Sequence, residues 1–323
     1  MDQWEDLLKK SSVASFFQTP ECYRFYQSLS FLECFLYGVS ENGKLVGIAC
    51  GYIISDGNRI KQYFSRRAII PGGLLLDKDI SSGALKDLLE KILLDLSKRV
   101  IYIEIRNYND YKKEISVFEQ TGFMYSAHLN FKIELKDEVS TFHAFNKTRQ
   151  RQIRSAEKNG VVWTETTHEK EIEEFYSILK HLYKAKIKRP LFPREFFSKL
   201  AVLPHGRLLV VKRNGKITGG MACVFHNKVA YEWYVCGSDE EKQSYSSVMA
   251  TWAGIQYAIR KNASTFDFMG AGKPGEDYGV RDFKRTFGGE LIENGRFQYI
   301  CNWSLYKLGS FVIKKNNCIN WNS

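Results

Sequence analysis

Asn42-Gly43-Lys44 and Asn214-Gly215-Lys216 each sit between two apolar, β-prone runs, and each is followed three residues later by a glycine, Gly47 and Gly219. Asn-Gly in that setting is the strongest short signal for a two-residue hairpin, because both residues accept the positive φ of a type I′ turn. The turns lie 172 positions apart. The segments beyond the turns repeat too. In the first half a helix from about Gly83 to Lys98 leads to a buried strand, Val100 to Ile105, then a helix and Phe118 to Phe123. In the second, a helix from about Ser246 to Lys261 leads to the strand Thr265 to Phe268 and on to Phe283 through Gly289. The shared order predicts an α/β fold made by tandem duplication of one unit. At roughly 150 residues per domain, 323 residues fit two. The expected domains are 1–142 and 143–302, with a strand over Arg296–Cys301 and a terminal helix from Trp303. Residues 303–323 are available to complete the first domain.

Composition narrows the setting. Lys and Arg number 47 against 36 acids, a net charge of +11 that implies an anionic partner without naming it. The acidic start, Met1 to Asp6, is followed by no apolar stretch of the kind a secretory signal needs, and the longest apolar runs fall far short of a membrane span of about 20 residues. A cytoplasmic protein is expected. Seven scattered Cys without a C-x-x-C pair argue against a disulfide framework or a structural zinc site and read as small buried hydrophobes.

Few motifs carry chemistry by themselves. Gly38 to Lys44 satisfies G-x-x-x-x-G-K, but Leu45 stands where a magnesium-binding hydroxyl is required and both flanks read as strands, so a hairpin is the better reading. The six His have no metal or triad spacing, and no metal or cofactor is expected. Residues 145–160 read as a basic helix carrying Lys147, Arg149, Arg151, Arg154 and Lys158, closed by Asn159-Gly160. Such a run is either a solvated face or, with the second cluster Lys184, Lys186, Lys188 and Arg189, a track for a phosphate backbone. Gly270 to Gly279 follows a strand end, where α/β folds commonly place ligands. It is also what a long surface loop looks like. In the helix beyond it Phe283 and Phe287 share a face, and Lys284 is either a surface lysine or an ammonium held over a cleft.

These residues resemble a known family. Phe266-Asp267-Phe268-Met269-Gly270-Ala271-Gly272-Lys273-Pro274, followed by Tyr278 through Glu290, is similar to the C-terminal signature of the FemABX peptidoglycan bridge-forming aminoacyltransferases. Phe16 to Arg24 and Asn146 to Arg154 with Lys158 to Val161 match as well, so the resemblance spans nearly the whole chain. It implies two GNAT-like acyltransferase domains in tandem, in a short form without the coiled-coil arm of larger members. It also implies transfer of an amino acid from aminoacyl-tRNA to an amine of a peptidoglycan precursor or related cell-envelope acceptor, with peripheral membrane contact through a lipid-linked substrate. A monomer without metal is expected.

Carried over residue by residue, the resemblance assigns the catalytic pair to Phe283 and Lys284 and the basic contacts to the acceptor's diphosphate to Arg24 and Arg189. Tyr278 becomes a further substrate contact, and Lys147, Arg149, Arg151 and Arg154 become tRNA contacts. Where some members carry a carboxylate after the central strand of the first domain, this chain has Asn107. An aminoacyl ester is already activated and the nucleophile belongs to the acceptor, so such an enzyme mainly aligns its substrates and stabilises an oxyanion. Two other readings stay open. One is an N-acyltransferase using acyl-CoA or an acyl carrier on an amino sugar or surface polysaccharide. Ser238 to Ser247 lacks the glycines of a Q/R-x-x-G-x-G/A diphosphate loop and carries acids, which weakens it. The other is a non-catalytic RNA-binding adaptor, which loss of Lys284 would have favoured.

Overall fold

The computed structural model describes residues 2–57, 62–238 and 242–309. In chain order these form α1 (Asp2–Lys10), α2 (Pro20–Ser28), β1 (Glu33–Glu41), β2 (Lys44–Ile54), β3 (Arg67–Gly72), β4 (Leu75–Leu76), α3 (Ser82–Leu96), β5 (Tyr102–Asn107), α4 (Ile115–Gln120), β6 (Met124–Ser126) and β7 (Leu129–Glu134). Then come α5 (Glu138–Ala144), α6 (Lys147–Lys158), β8 (Val161–Glu165), α7 (Glu169–Leu182), α8 (Arg194–Ala201), β9 (Gly206–Arg213), β10 (Lys216–His226), β11 (Val229–Gly237), α9 (Ser246–Arg260), β12 (Thr265–Gly270), α10 (Gly279–Arg285), β13 (Glu290–Glu293) and β14 (Arg296–Ile300).

Two compact units result. The first holds a seven-stranded sheet in the order β1-β2-β3-β5-β14-β6, with β4 paired to β2; the second holds β13-β7-β12-β11-β10-β9-β8. Aligned on their hairpins, the sheets correspond strand for strand: β1-β2-β3-β5-β14-β6 with β9-β10-β11-β12-β7-β13, β8 being an addition. Both turns are two-residue loops with positive φ throughout, 51° and 77° at Asn42-Gly43, 49° and 76° at Asn214-Gly215. Even the irregularities recur. Val46 is bulged out of the β1/β2 register and Thr218 out of β9/β10, again 172 positions apart. The duplication read from two turns therefore extends to the backbone.

The domain boundaries need correction. The chain leaves the first unit after His128 and returns at Glu293, instead of crossing once at 142/143. β7 pairs with β12 in the second sheet, while β14 inserts between β5 and β6 of the first. Each sheet thus takes one strand from what the linear repeat assigns to the other half. Residues 303–309 are helical in the first unit; the rest of the expected terminal helix lies outside the described residues.

Each unit packs its long helix on its hairpin strands, α3 on β1 and β2 and α9 chiefly on β9, β10 and β11. Leu85, Leu88, Leu89, Ile92 and Leu96 of α3 share one core with Ile103 and Ile105 of β5, and Phe297 of β14 stacks on Phe118 with centroids 3.8 Å apart. In the second unit α9 is buried along most of its length against Phe266 and Phe268. Cys22, Cys50, Cys223 and Cys236 are buried and unbridged, Cys34 and Cys301 half-buried, and Cys318 lies outside the described residues. Among the described residues no helix is long and apolar enough to cross a membrane.

Candidate active site

The two parallel strand pairs differ in how far they stay paired. β3 and β5 stay in register over six residue pairs, Arg67/Tyr102 to Gly72/Asn107. β11 and β12 pair over only three, Val229/Thr265 to Tyr231/Asp267, and then part. Beyond that point backbone groups of both strands are released from the ladder, at the carboxyl ends where open α/β sheets bind ligands.

β12 is bent there. Met269 has φ 57°, a left-handed conformation that costs a non-glycine residue roughly 1–2 kcal/mol. Asp267, wholly buried, supports the bend: its Oδ1 accepts from the Met269 backbone N–H at 2.6 Å and from Asn130 Nδ2 at 2.8 Å, and Lys132 Nζ stands 3.5 Å from Oδ2. In a regular strand the carbonyls of residues 268 and 270 would be roughly 6.6 Å apart. Bent at Met269, both reach one ammonium. Lys284 Nζ donates to Phe268 O at 2.5 Å and Gly270 O at 2.9 Å.

Lys284 is 6% exposed, so it is no surface lysine. Its nearest carboxylate is Glu232 of β11, 4% exposed, with Oε1 at 3.7 Å from Nζ. Burial pushes the Glu232 carboxyl up to about 7 against the opposing pull of the Lys284 charge. Burial likewise lowers Lys284 from the ordinary lysine range, with Glu232 and Asp267 working to restore it. Desolvation disfavours either charge alone, and each partner offsets part of that cost for the other. Sequence reasoning missed Glu232, although a single carboxylate inside Ala230-Tyr231-Glu232-Trp233-Tyr234-Val235 marks a buried strand with a charge in it.

The remaining predicted residues divide. Phe283 packs on Phe287 with centroids 5.3 Å apart, under the Arg149 guanidinium, 4.6 Å from the ring. Arg149 also donates through Nε to Thr286 Oγ1 at 2.7 Å. It is committed to α10, and Arg154 lies 5.2 Å over the Phe142 ring. Lys147 and Arg151 on the same helix are exposed. The loop after β12 is gathered by Arg281, which sequence reasoning also missed: Nε donates to Ala271 O and Nη1 to Glu276 O, both at 2.9 Å, and Nη2 to Lys273 O. Tyr278, half-buried, packs over Gly272. After α7 the chain makes a π turn, Tyr183–Ile187, and Lys188 takes φ 52° before the exposed Arg189. Burial pushes the Tyr183 phenol up, with the Arg189 guanidinium opposing, and the Tyr183 ring lies 6.0 Å from Tyr234, two residues beyond Glu232 on β11. Tyr183 is thereby associated with the open strand end. Arg24 is exposed on α2 of the first unit.

Comparison with known proteins agrees with this architecture. Residues 144–285 match the family model described as an acetyltransferase (GNAT) domain. Over 99 residues the chain is 30% identical to Lipid II:glycine glycyltransferase of Staphylococcus saprophyticus, covering 29% of this chain and 24% of that protein. The crystal structure of FemX superposes with a TM-score of 0.70 over 95% of this chain and 97% of its own, at 15% identity. The chain thus contains a region that matches the GNAT acetyltransferase domain, and it shares the fold of FemX. A tandem GNAT protein from the clavulanic acid biosynthesis pathway shares the fold as well, with a TM-score of 0.59 and 11% identity over 93% and 94% of the two chains. The match to the staphylococcal relative spans about a quarter of that protein's length.

Proposed function

We propose that this chain is an aminoacyltransferase that moves an aminoacyl group from aminoacyl-tRNA to an amine of a peptidoglycan precursor or related cell-envelope acceptor. The observation that carries the reading is the Lys284 ammonium, buried where β11 and β12 part. The name of the 30% identical relative, Lipid II:glycine glycyltransferase, supports an acceptor of that class. In the reaction the acceptor amine attacks the ester carbonyl, the carbonyl oxygen becomes an oxyanion, and the ribose oxygen leaves with the proton the amine gives up. Lys284 stabilises the oxyanion by charge and hydrogen bond, and its burial strengthens that field. Arg189 and Arg24 are the proposed contacts to the acceptor's diphosphate, since planar guanidinium forks match its oxygens. Lys147 and Arg151 are the proposed contacts to tRNA phosphates.

One feature favours a second reading. A cavity of about 320 Å³ is lined by His181, Lys186, Lys216, Thr218, Gly237 and Ser238, and such a basic cavity would accept the diphosphate of an acyl-CoA as well as a tRNA end. The chain segment beyond it lacks a glycine-rich diphosphate loop. Purified protein incubated with charged tRNAs or with acyl-CoA, and with lipid-linked or nucleotide-linked precursor, decides between them by which donor is consumed. Lys284→Met should fold and lose roughly 100-fold or more in turnover. Near-native turnover of a folded Lys284→Met protein would refute the reading.

A further inference from the structure

Lys284 has three N–H donors, and two are spent on the carbonyls of Phe268 and Gly270. Glu232 Oε1 stands at 3.7 Å, well beyond the 2.7–2.9 Å of a tight charge-assisted hydrogen bond. The carboxylate is thus close enough to balance the ammonium and too far to monopolise its third donor. A neutral residue on β11 would leave a lysine stripped of water in a pocket of carbonyls, where proton loss relieves the cost of burial. We propose that Glu232 is a positioning residue for Lys284: its carboxylate holds the buried ammonium charged while leaving one N–H for a reacting oxygen.

The surroundings of Glu232 are consistent with that task. From α10 it is faced by Lys284, from β12 by Asp267, and from α9 by the Thr251 hydroxyl; on β10 the buried Cys223 thiol, held neutral by its own burial, lies within its field. Lys132 of β7 balances Asp267. With both lysines protonated, the cluster is charge-balanced when both Glu232 and Asp267 are ionised.

The inference rests on the catalytic reading of Lys284, so the test separates the two. The Lys284 side chain, labelled with ¹³C at Cε and assigned with Lys284→Met, is titrated by NMR in the full chain, in the native protein and in Glu232→Gln and Glu232→Asp. Removal of the carboxylate should lower the Lys284 titration point by about one pH unit or more. Aspartate, which keeps the charge at shorter reach, should lower it less. With the true donor and acceptor, the alkaline limb of the kcat profile should move to lower pH by the same amount in Glu232→Gln, with the acceptor KM little changed. An unmoved Lys284 titration overturns the proposal, and the titration in Glu232→Asp decides in its place if Glu232→Gln does not fold. A titration that moves beneath an unmoved rate profile upholds the pairing and refutes the catalytic role of Lys284.

Discussion

Arg149 shows how the fold can give a residue a second task beside the one its neighbours in sequence suggest. On sequence it is one of several cations in a basic run, and the run suits a phosphate track. In the fold its guanidinium lies over Phe283 and is tied to Thr286, flanking Lys284 on both sides along α10. Its planarity matters there, since a lysine neither stacks on a ring in the same way nor presents a fork. Arg149→Lys should therefore reduce turnover about as much as Arg149→Gln, while the salt dependence of RNA binding stays as in the native protein. Lys147→Gln and Arg151→Gln should behave oppositely, each flattening the log-log slope by about 0.7 to 0.9 with smaller effects on turnover at low salt. Binding measured across a salt series, beside single-turnover rates, distinguishes the two kinds of residue.

The elements readable in the sequence are those whose cause is local. Asn-Gly pairs dictated both hairpins, and apolar periodicity dictated α3 and α9 within one or two residues at each end. Strand partners were not readable. Nothing in Leu129–Glu134 or Arg296–Ile300 says that each pairs within the other half's sheet, because that choice is made by contacts far apart in sequence. The bend at Met269 was equally hidden, since methionine carries no turn signal and the bend depends on a buried Asp267 held by Asn130. The hairpins offer a clean test of the local cause. A Cβ added at Gly43 or Gly215 would meet nothing within 4 Å, yet both residues hold positive φ. Gly43→Ala and Gly215→Ala should each cost roughly 1–2 kcal/mol, from the backbone alone. Urea unfolding measures it, and a loss below a few tenths would show that the turns tolerate another geometry.

For the molecule entire, acid sensitivity should trace to the first unit. Arg106 and Arg296 lie directly opposite on β5 and β14, an arrangement of like charges that is unfavourable unless balanced. Glu104 supplies the balance, accepting from Arg106 Nε at 2.8 Å and Arg296 Nη1 at 2.6 Å. Its burial opposes ionisation, but the two guanidinium charges outweigh it and hold the carboxyl down at about 2, from an ordinary 4.5. A depressed acid stabilises the fold above its unfolded value and loses that contribution as pH falls from about 4.5 to 2. The shift corresponds to about 3 kcal/mol at neutral pH. Glu104→Gln should lose that much at pH 7, measured by denaturant unfolding, and should show a weaker fall in stability between pH 4.5 and 2 than the native protein.

The return of the chain to the first unit also bears on how the protein is made. β6 joins its sheet only through β14 among the described residues, and β5 lacks one neighbour until residues 296–300 arrive. The second unit, by contrast, has every strand in hand once β13 has been synthesised. Domains usually mature on the ribosome in the order they emerge. Here the order is inverted: the half translated first must wait with an unpaired strand edge, open to wrong partners, until the half translated second is complete.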